Sequence, residues 1–419
     1  MNSQLLERLT NLALRGLSMG SKFVLVIFLA KYLSVDDIGI YGLVIATVSF
    51  AIVLVGGDFY TYSQRELLGL DNSKWLWVIQ HQSVAASVLY LFALPLQVII
   101  FYNGWLPMVL MPIYFLLLVS EHIAQEINRL LITMQKQLIA SFVLFFRLGA
   151  WCWVVIVLFL WDESFRKLDV VLWSWLMGSL ISILIGGFFV VRQLPNLNLS
   201  KIDKLWIKKG YAIAFKFFCA TLCYRAIMTA DRYVIEYVGG KDMLAVYVVY
   251  ISIAMAINSV LVPTVFSFIY PKLVGNYKKG NISEYKKNLK ELIRSVFIIG
   301  GGVALLIGVF APFVFQWTDK LILLENTHIL WLLLIMSFLY SVSMIPHYVL
   351  YAKGQDNQIL SSHAGGLLTF CVGCLISVSV GNVNFVLYSL ISSMLCICAI
   401  KSWFAFKLDF IGRKKVKYV

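Results

Sequence analysis

Residues 243–269, MLAVYVVYISIAMAINSVLVPTVFSFI, run for 27 positions without a charged side chain. A helix needs about 20 predominantly apolar residues to cross the roughly 30 Å hydrocarbon core of a membrane. This stretch is long enough to span a bilayer, and comparable stretches recur along the chain. We predict twelve membrane-spanning helices, at residues 16–33, 39–57, 75–101, 105–126, 138–160, 170–191, 211–230, 243–269, 293–316, 329–352, 359–380 and 384–406.

The overall composition agrees with a membrane protein. Hydrophobic residues make up 61% of the 419 positions and charged residues 13%, whereas soluble domains contain about 45–50% apolar and about 25% charged residues. The net charge of +14 does not indicate nucleic-acid binding, because the basic residues lie in short loops between apolar runs and not on one soluble face. We therefore predict one all-α, polytopic membrane domain.

The distribution of lysine and arginine predicts how the helices are oriented. Cytoplasmic loops of membrane proteins hold an excess of basic residues, and here these residues are concentrated in alternate loops if both termini are cytoplasmic. We predict an N-terminal half (1–191), a cytoplasmic linker (192–210) and a C-terminal half with a basic cytoplasmic tail (211–419). A short internal repeat supports two halves, since residues 32–37 (YLSVDD) resemble residues 237–242 (YVGGKD). Repeated halves are a transporter architecture.

Basic residues within or beside the predicted spans indicate an anionic ligand. A lysine or arginine at the centre of a spanning helix costs roughly 2.5–3.5 kcal/mol on insertion scales, so such residues usually face a cavity or a partner. The acidic residues near these spans lie at predicted span ends, which leaves the deep cations without a visible counter-charge. Arginine is a natural donor to phosphate. The candidate residues for an anion-binding cavity are Arg147, Arg225, Lys216, Lys22 and Arg15.

These cations also have structural interpretations. Each could bond a local partner, such as a carbonyl group at a helix end. Lys216 and Arg225 are nine residues apart and so lie on opposite faces of a straight helix, whereas Arg15 and Lys22 share one face. Lys401 lies near the inner end of the last predicted span, where a lysine side chain can extend to the interface.

A second polar group lies near the inner end of the fourth predicted span. His122, Gln125, Glu126 and Arg129 share one helical face because of their spacing. The group is either an ordinary polar helix end or an inner gate with a titratable site, since His122 and Glu126 could exchange protons. The candidates for a gate or for proton coupling are His122, Glu126, Asp58 and Asp231, all at predicted span ends or near them.

No motif in the sequence indicates an enzyme, a metal site or a cofactor. A phosphate-binding loop, H-E-x-x-H and G-x-S-x-G are absent. Cys371 and Cys374 have C-x-x-C spacing, but a zinc site needs two further ligands and normally a polar setting. We expect a protein that is not an enzyme and that uses neither metal nor cofactor.

Three stretches of the sequence carry a family resemblance. They are residues 14–41, with FLAKYL at 28–33 and DDIGIY at 36–41, residues 230–240 (ADRYVIEYVGG) and residues 270–273 (YPKL). They resemble the polysaccharide exporters of the multidrug/oligosaccharidyl-lipid/polysaccharide (MOP) superfamily, and among these the O-antigen flippases of the Wzx type. The resemblance covers nearly the whole chain, but its motifs lie mostly at helix ends.

The resemblance implies two six-helix halves around a central cationic cavity that opens alternately to each side of the membrane. It implies a bacterial inner-membrane flippase for an oligosaccharide linked through pyrophosphate to undecaprenol, such as an O-antigen unit for lipopolysaccharide or a related surface polysaccharide. Implied partners are the bilayer, a polysaccharide polymerase and a chain-length regulator. Two other functions stay open: a membrane-embedded polymerase or ligase, which would carry a large outer loop, and a drug or cation antiporter, which would need deep acidic residues.

Overall fold

The computed structural model describes residues 3–68, 70–195 and 198–416, and the regular secondary structure of these residues is entirely helical. Short 3₁₀ turns (Asn72–Lys74, Met108–Leu110 and Glu163–Phe165) precede three of the helices. Numbered in chain order, the helices are α1 (Ser3–Tyr32), α2 (Val35–Gly56), α3 (Tyr60–Leu68), α4 (Trp75–Tyr102), α5 (Met111–Thr133), α6 (Gln137–Trp161), α7 (Leu168–Arg192), α8 (204–239), α9 (241–278), α10 (Ile282–Trp317), α11 (Leu321–Glu325), α12 (Thr327–Ala352), α13 (Asp356–Val380) and α14 (Asn384–Val416).

Eleven helical segments of the described chain are long and apolar enough to cross a membrane, and one of them, Lys204–Lys278, contains 75 residues. This segment is broken at Gly240, whose φ of 75° and ψ of −177° are essentially restricted to glycine. A continuous helix of that length would measure about 110 Å, more than three times the thickness of the hydrocarbon core. The segment therefore supplies two crossings, α8 and α9. The twelve-helix membrane fold predicted from the sequence is confirmed.

The observed helices differ most from the predicted spans where a polar segment continues a helix. α8 runs from 204 to 239 and not from 211 to 230, and α10 begins at Ile282 and not at 293. Residues 282–295 (ISEYKKNLKELIRS) are helical but charged, and hydropathy detects only the apolar part of such a helix. α5 and α8 both continue beyond the predicted span ends, α5 to Thr133, so Glu121, Glu126 and Asp231, which were expected at span ends or near them, lie inside helices.

The helices form two compact units, Met1–Leu222 and Cys223–Val419, so the boundary falls inside α8. In the first unit the start of α8 packs closely on the residues around α3. An added Cβ at Gly210 would lie 2.5 Å from the ring of Phe59, and the Trp206 ring lies 5.7 Å from that of Phe59. The assignment of residues 192–210 to a cytoplasmic linker between halves stays a prediction.

Large apolar side chains are exposed on the outer faces of both units. Leu91 and Leu184 of the first unit are 74% and 72% exposed, and Leu375 and Leu368 of the second are 69% and 68% exposed. Soluble monomers rarely expose such contiguous apolar surface, whereas helices in contact with lipid do so by necessity. The chain is a multi-pass membrane protein.

The two members of the internal repeat lie at equivalent places. Residues 32–37 join α1 to α2, and the Ser34 side chain accepts a hydrogen bond from the Asp37 backbone N–H at 3.1 Å. Asp36 and Asp37 occupy the first turn of α2, where negative charge favours the helix dipole. Residues 237–242 contain Gly240 and join α8 to α9. Each repeat segment therefore ends one long helix and begins the next.

Candidate functional site

Arg147 and Glu121 form a buried ion pair in the first unit. Arg147 Nε lies 2.9 Å from Glu121 Oε2, and the two side chains are 12% and 4% exposed. The other carboxylate oxygen accepts hydrogen bonds from Trp175 Nε1 at 2.9 Å and from Ser179 Oγ at 2.5 Å. The expectation that the deep cations lack an acidic partner is therefore wrong for Arg147. Its partner lies 26 positions away in the sequence, on the neighbouring helix α5.

Small residues bring three helices together at the level of this pair. Arg147 lies in a five-residue π-helical segment of α6, Phe146–Ala150, and π segments are frequent at functional sites. An added Cβ at Gly178 of α7 would lie 2.8 Å from the first carbonyl oxygen of that segment, and one at Gly149 would lie 3.0 Å from Ser18 Cα of α1. Glycine at both positions lets α1 and α7 approach α6 closely.

Arg15 and Lys22 are half-buried on a face of α1 that packs against α6. Arg15 Nε donates a hydrogen bond to Ser141 Oγ at 3.1 Å. Lys22 is close enough to Glu121 for an electrostatic interaction, as is Arg147. Two cations therefore share one carboxylate, and with both protonated the cluster of Lys22, Arg147 and Glu121 carries an excess of positive charge.

His122 and Glu126 line a cavity of about 440 Å³ between α4, α5 and the end of α7. Most of the lining is apolar, and its polar end is a connected network. Gln82 Nε2 donates to Glu126 Oε2 at 2.5 Å, and the Tyr90 hydroxyl lies 2.8 Å from His122 Nδ1. His122 Nε2 is 4.0 Å from Glu126 Oε1, which also pairs with Arg129. The structure therefore brings the two sequence-predicted residues together.

The turn that follows α2 borders this network. An added Cβ at Gly56 would lie 3.2 Å from His122 Nε2, so glycine provides the space that the imidazole occupies. Gly57 and Asp58 both have positive φ, 53° and 48°, a conformation that aspartate adopts more readily than most residues. Asp58 is only 7% exposed but is not among the residues that line the cavity. It lies in the turn, apart from the cavity wall.

Asp231 belongs to a buried polar cluster of the second unit. Its side chain is fully buried. One carboxylate oxygen accepts a hydrogen bond from Arg232 at 3.0 Å, and the other accepts one from the Tyr247 hydroxyl at 2.5 Å. Arg232 also donates to the Met228 carbonyl oxygen at 2.6 Å. Asp231 is therefore neutralised by the residue that follows it.

Lys216 and Arg225 differ from all these groups. Both are exposed on α8, a helix that is long enough to cross the membrane. Among the described residues, neither has a carboxylate within ion-pair distance. A cation in a spanning helix that is neither buried nor paired needs water or a ligand beside it.

Lys401 is the one deep cation that sequence reasoning set aside. Its side chain is 1% exposed, so the expected extension to the interface does not occur. In the part of the chain that the structure describes, no carboxylate pairs with it. The nearby His347 has a buried Nδ1 without a hydrogen-bond partner. No sequence signal identified this group, because its members come from α12 and α14.

The cysteines are free thiols, and Cys371 is exposed while Cys374 is buried. Cys374 Sγ lies 3.9 Å from Ser389 Oγ. In the described residues, no group of three or more His, Cys, Asp or Glu side chains is arranged to hold a metal ion.

Comparisons with known proteins place this fold. No curated protein matches the sequence. An inward-facing multidrug resistance MATE family transporter of the MOP superfamily is similar in structure, with 14% identity and a TM-score of 0.74 over 97% of this chain and 99% of that chain. An outward-facing structure of such a transporter has 14% identity and a TM-score of 0.66, over 97% and 96%. A MATE structure in complex with MaD3S has 15% identity and a TM-score of 0.65, over 97% and 96%.

The sequence itself matches a family model over more than half of its length. Residues 9–275 match the family described as polysaccharide biosynthesis protein. This range contains α1 to α9 almost completely, including the stretches at 14–41, 230–240 and 270–273 on which the resemblance was based. The chain therefore belongs to the polysaccharide biosynthesis protein family and has the fold of the MATE transporters.

Proposed function

We propose that this protein is a flippase that moves an undecaprenyl-pyrophosphate-linked oligosaccharide across a bacterial inner membrane by alternating access. The cargo is a repeat unit of O-antigen or of a related surface polysaccharide, and both termini face the cytoplasm. Membership of the polysaccharide biosynthesis protein family supports a lipid-linked saccharide as substrate. The observation that carries the proposal is the pair of exposed, unpaired cations, Lys216 and Arg225, on the spanning helix α8.

The charge of the cargo explains these two cations. A pyrophosphate is the obligatory anion of an undecaprenyl-pyrophosphate-linked saccharide. The planar guanidinium of arginine can bind two phosphate oxygens at once, and such charge-assisted hydrogen bonds are stronger than neutral ones. We assign Arg225 to direct contact with the pyrophosphate. Lys216, nine residues earlier and on the opposite face of α8, is assigned to the positive potential that attracts the anion. Arg147, Lys22 and Arg15 are assigned to keeping the first unit positive, because their side chains are already engaged with Glu121 or with α6.

A drug or cation antiporter is the second candidate function. Two observations favour it: Glu121 and Asp231 are deeply buried acids, and the similar solved structures include multidrug transporters. Both acids, however, are paired with arginine, whereas Lys216 and Arg225 on α8 have no carboxylate within ion-pair distance among the described residues. That balance fits an anionic cargo better than a cationic one.

The His122–Glu126 network is the proposed gate or proton-coupling site of the first unit. It lies beside a cavity, and its two titratable side chains are 4.0 Å apart. A proton on His122 would turn this contact into an ion pair and would compete with Arg129 for Glu126. Asp58 and Asp231 remain weaker candidates for the same role, because neither lines the cavity.

Deletion of the gene in its host tests the proposed function. We expect lipid-linked oligosaccharide to be made, to remain on the cytoplasmic leaflet and to be protected from periplasmic modification, with loss of surface polysaccharide. The wild-type gene supplied on a plasmid should restore export. Accumulation of translocated but unpolymerised units would instead identify a polymerase. Normal surface polysaccharide together with new sensitivity to cationic drugs would identify the antiporter.

A further inference from the structure

Seven ring side chains of the second unit form a continuous series. Each ring centroid lies between 4.8 and 6.4 Å from the next. The residues come from α8, α9, α12 and α13, which shows that the fold and not the local sequence assembles them. In spatial order they are Tyr340, Tyr224, His363, His347, Tyr348, Tyr270 and Tyr351, here called the ring track.

The rings of the track are partly exposed and not fully enclosed. All seven side chains are half-buried. In contrast, Tyr247 and Tyr250 of the same unit are fully buried, with hydroxyls bonded to Asp231 and to the Leu323 carbonyl oxygen. The part of α12 that carries the track has no exposed side chain between residues 336 and 353. The track is therefore not presented to lipid in the way that Leu368 and Leu375 of α13 are.

Polar groups accompany the rings. Arg225 is exposed and lies within electrostatic range of Tyr224 and Tyr340, which puts a cation at that end of the track. His347 Nδ1 is buried without a hydrogen-bond partner, and Lys401 lies buried within electrostatic range of His347. A buried polar atom without a partner costs about 1–3 kcal/mol, so a ligand or a water that bonds this nitrogen would relieve a real penalty.

Carbohydrate fits this combination of groups. A sugar ring has a C–H face that stacks on an aromatic ring and a hydroxyl edge that needs donors and acceptors. Tyrosine offers a flat apolar body with a polar tip, and ligand sites commonly combine aromatic walls with a few polar groups. A lipid chain would form no hydrogen bond with the unpaired histidine nitrogen, and an inorganic anion would not stack on the rings.

We propose that the ring track binds the saccharide portion of the lipid-linked cargo while Arg225 holds its pyrophosphate. This inference rests on the proposed function and adds the place where the sugars lie. Tyr340 and Tyr351 are eleven residues apart on α12, a rise of about 16 Å. The track is thus long enough to contact several sugar rings in series, with the first sugar nearest Tyr224.

Photocrosslinking at single track positions tests the inference on the full-length protein in its own membranes. The probe is lipid-linked saccharide carrying a radiolabelled sugar, made in the deletion strain, with Tyr348→p-benzoylphenylalanine or Tyr270→p-benzoylphenylalanine in the plasmid copy. Tyr388→p-benzoylphenylalanine is the matched control, because Tyr388 is a 49% exposed tyrosine of α14 outside the track. We expect at least tenfold more labelled adduct at 348 and 270 than at 388.

Equal or absent labelling at 348 and 270, in membranes that contain the labelled lipid-linked saccharide, would overturn the ring track. A complementary measurement is export by the double variant Tyr270→Ala/Tyr348→Ala at wild-type membrane abundance, which we expect to fall at least tenfold, while Tyr388→Ala exports normally. Wild-type export by the double variant would also overturn it. The proposed function fails separately, if deletion of the gene leaves no lipid-linked saccharide trapped on the cytoplasmic leaflet.

Discussion

Arg147 of the first unit and Arg225 of the second are both arginines within spanning helices, yet their surroundings are opposite. Arg147 is 12% exposed and bonded to a carboxylate that is itself held by two further donors. Arg225 is exposed and has no carboxylate beside it among the described residues. The difference shows that the presence of a carboxylate partner, and not depth alone, separates an arginine that joins two helices from one whose donors are available to a ligand.

Because of this contrast, we expect substitution of the two residues to have different effects. Removing one member of a buried ion pair leaves an uncompensated charge in a low-dielectric interior, which lowers the stability of the folded protein. Removing an exposed, unpaired cation leaves no such charge behind, so we expect only the proposed ligand contact to be lost.

The largest effect is expected from Glu121→Gln, which keeps the shape of the side chain and removes its charge. Arg147 and the half-buried Lys22 would then lack a counter-ion, and the free energy of unfolding should fall by about 3–5 kcal/mol. Thermal melting of the purified protein and its abundance in membranes measure this change. Glu163→Gln is the control. The Glu163 side chain is 84% exposed, so its ion pair with Arg166 should contribute little to stability.

A triple variant sharpens that test. Glu121→Gln combined with Arg147→Met and Lys22→Met removes the whole charged cluster, and it should recover most of the lost stability. A stable Glu121→Gln protein, or a triple variant that stays as unstable as Glu121→Gln alone, would contradict the ion-pair account of the first unit.

The next effect in size is expected from Asp231→Asn in the second unit. The amide keeps an acceptor for Tyr247 but leaves Arg232 without its charged partner, and hydrogen bonds to charged groups contribute about 1.5–3 kcal/mol. We expect a lowered melting temperature with reduced but measurable export. Complete loss of export at unchanged melting temperature would mean that Asp231 acts in proton coupling. The antiporter would then be the favoured function.

Arg225→Ala should lower export at least tenfold, about 1.4 kcal/mol, without changing membrane abundance. Arg225→Lys should retain part of the activity, because it keeps the charge and loses the two-pronged donor. Surface polysaccharide in the complemented deletion strain measures export, and Arg192→Ala, an exposed arginine at the end of α7, is the control. Wild-type export from Arg225→Ala at normal abundance would remove the residue from the proposed site.

The smallest effect is expected from Lys401→Met. A buried lysine without a counter-ion is costly in a membrane protein, and replacing buried charge by a side chain of similar volume is often neutral or stabilising. The melting temperature should stay the same or rise. A marked fall in the melting temperature would show that Lys401 has a partner in the native membrane. Lys401 would then differ from Arg225, for which no such partner is expected.

The membrane fold could be predicted from the sequence because the thickness of the hydrocarbon core sets a minimum length for every apolar run that spans it. The run at 243–269 and its counterparts were enough to count the crossings. The ends were less certain, as α10 shows: its charged first turns are helical for reasons that hydropathy does not measure. The break between the predicted spans 211–230 and 243–269 could be expected, but only the backbone angles assign it to Gly240.

The candidate site was only partly predictable, because its contacts join distant helices. His122 and Glu126 are four residues apart on one helix face, so their proximity could be seen in the sequence. The partner of Arg147 could not, since the error in the end of α5 placed Glu121 too near an interface. The ring track draws on four helices and leaves no pattern along the chain.

The break at Gly240 also decides whether an odd or an even number of membrane crossings precedes each later loop. Each crossing inverts the side of the membrane on which the next loop emerges, so an uninterrupted segment from 204 to 278 would transfer every later loop to the opposite side. The basic segment at the start of α10 and the end of α14 would then emerge where the charge bias opposes them. One glycine with an unusual backbone conformation thus keeps the five long helices from α9 to α14 in agreement with the predicted sidedness.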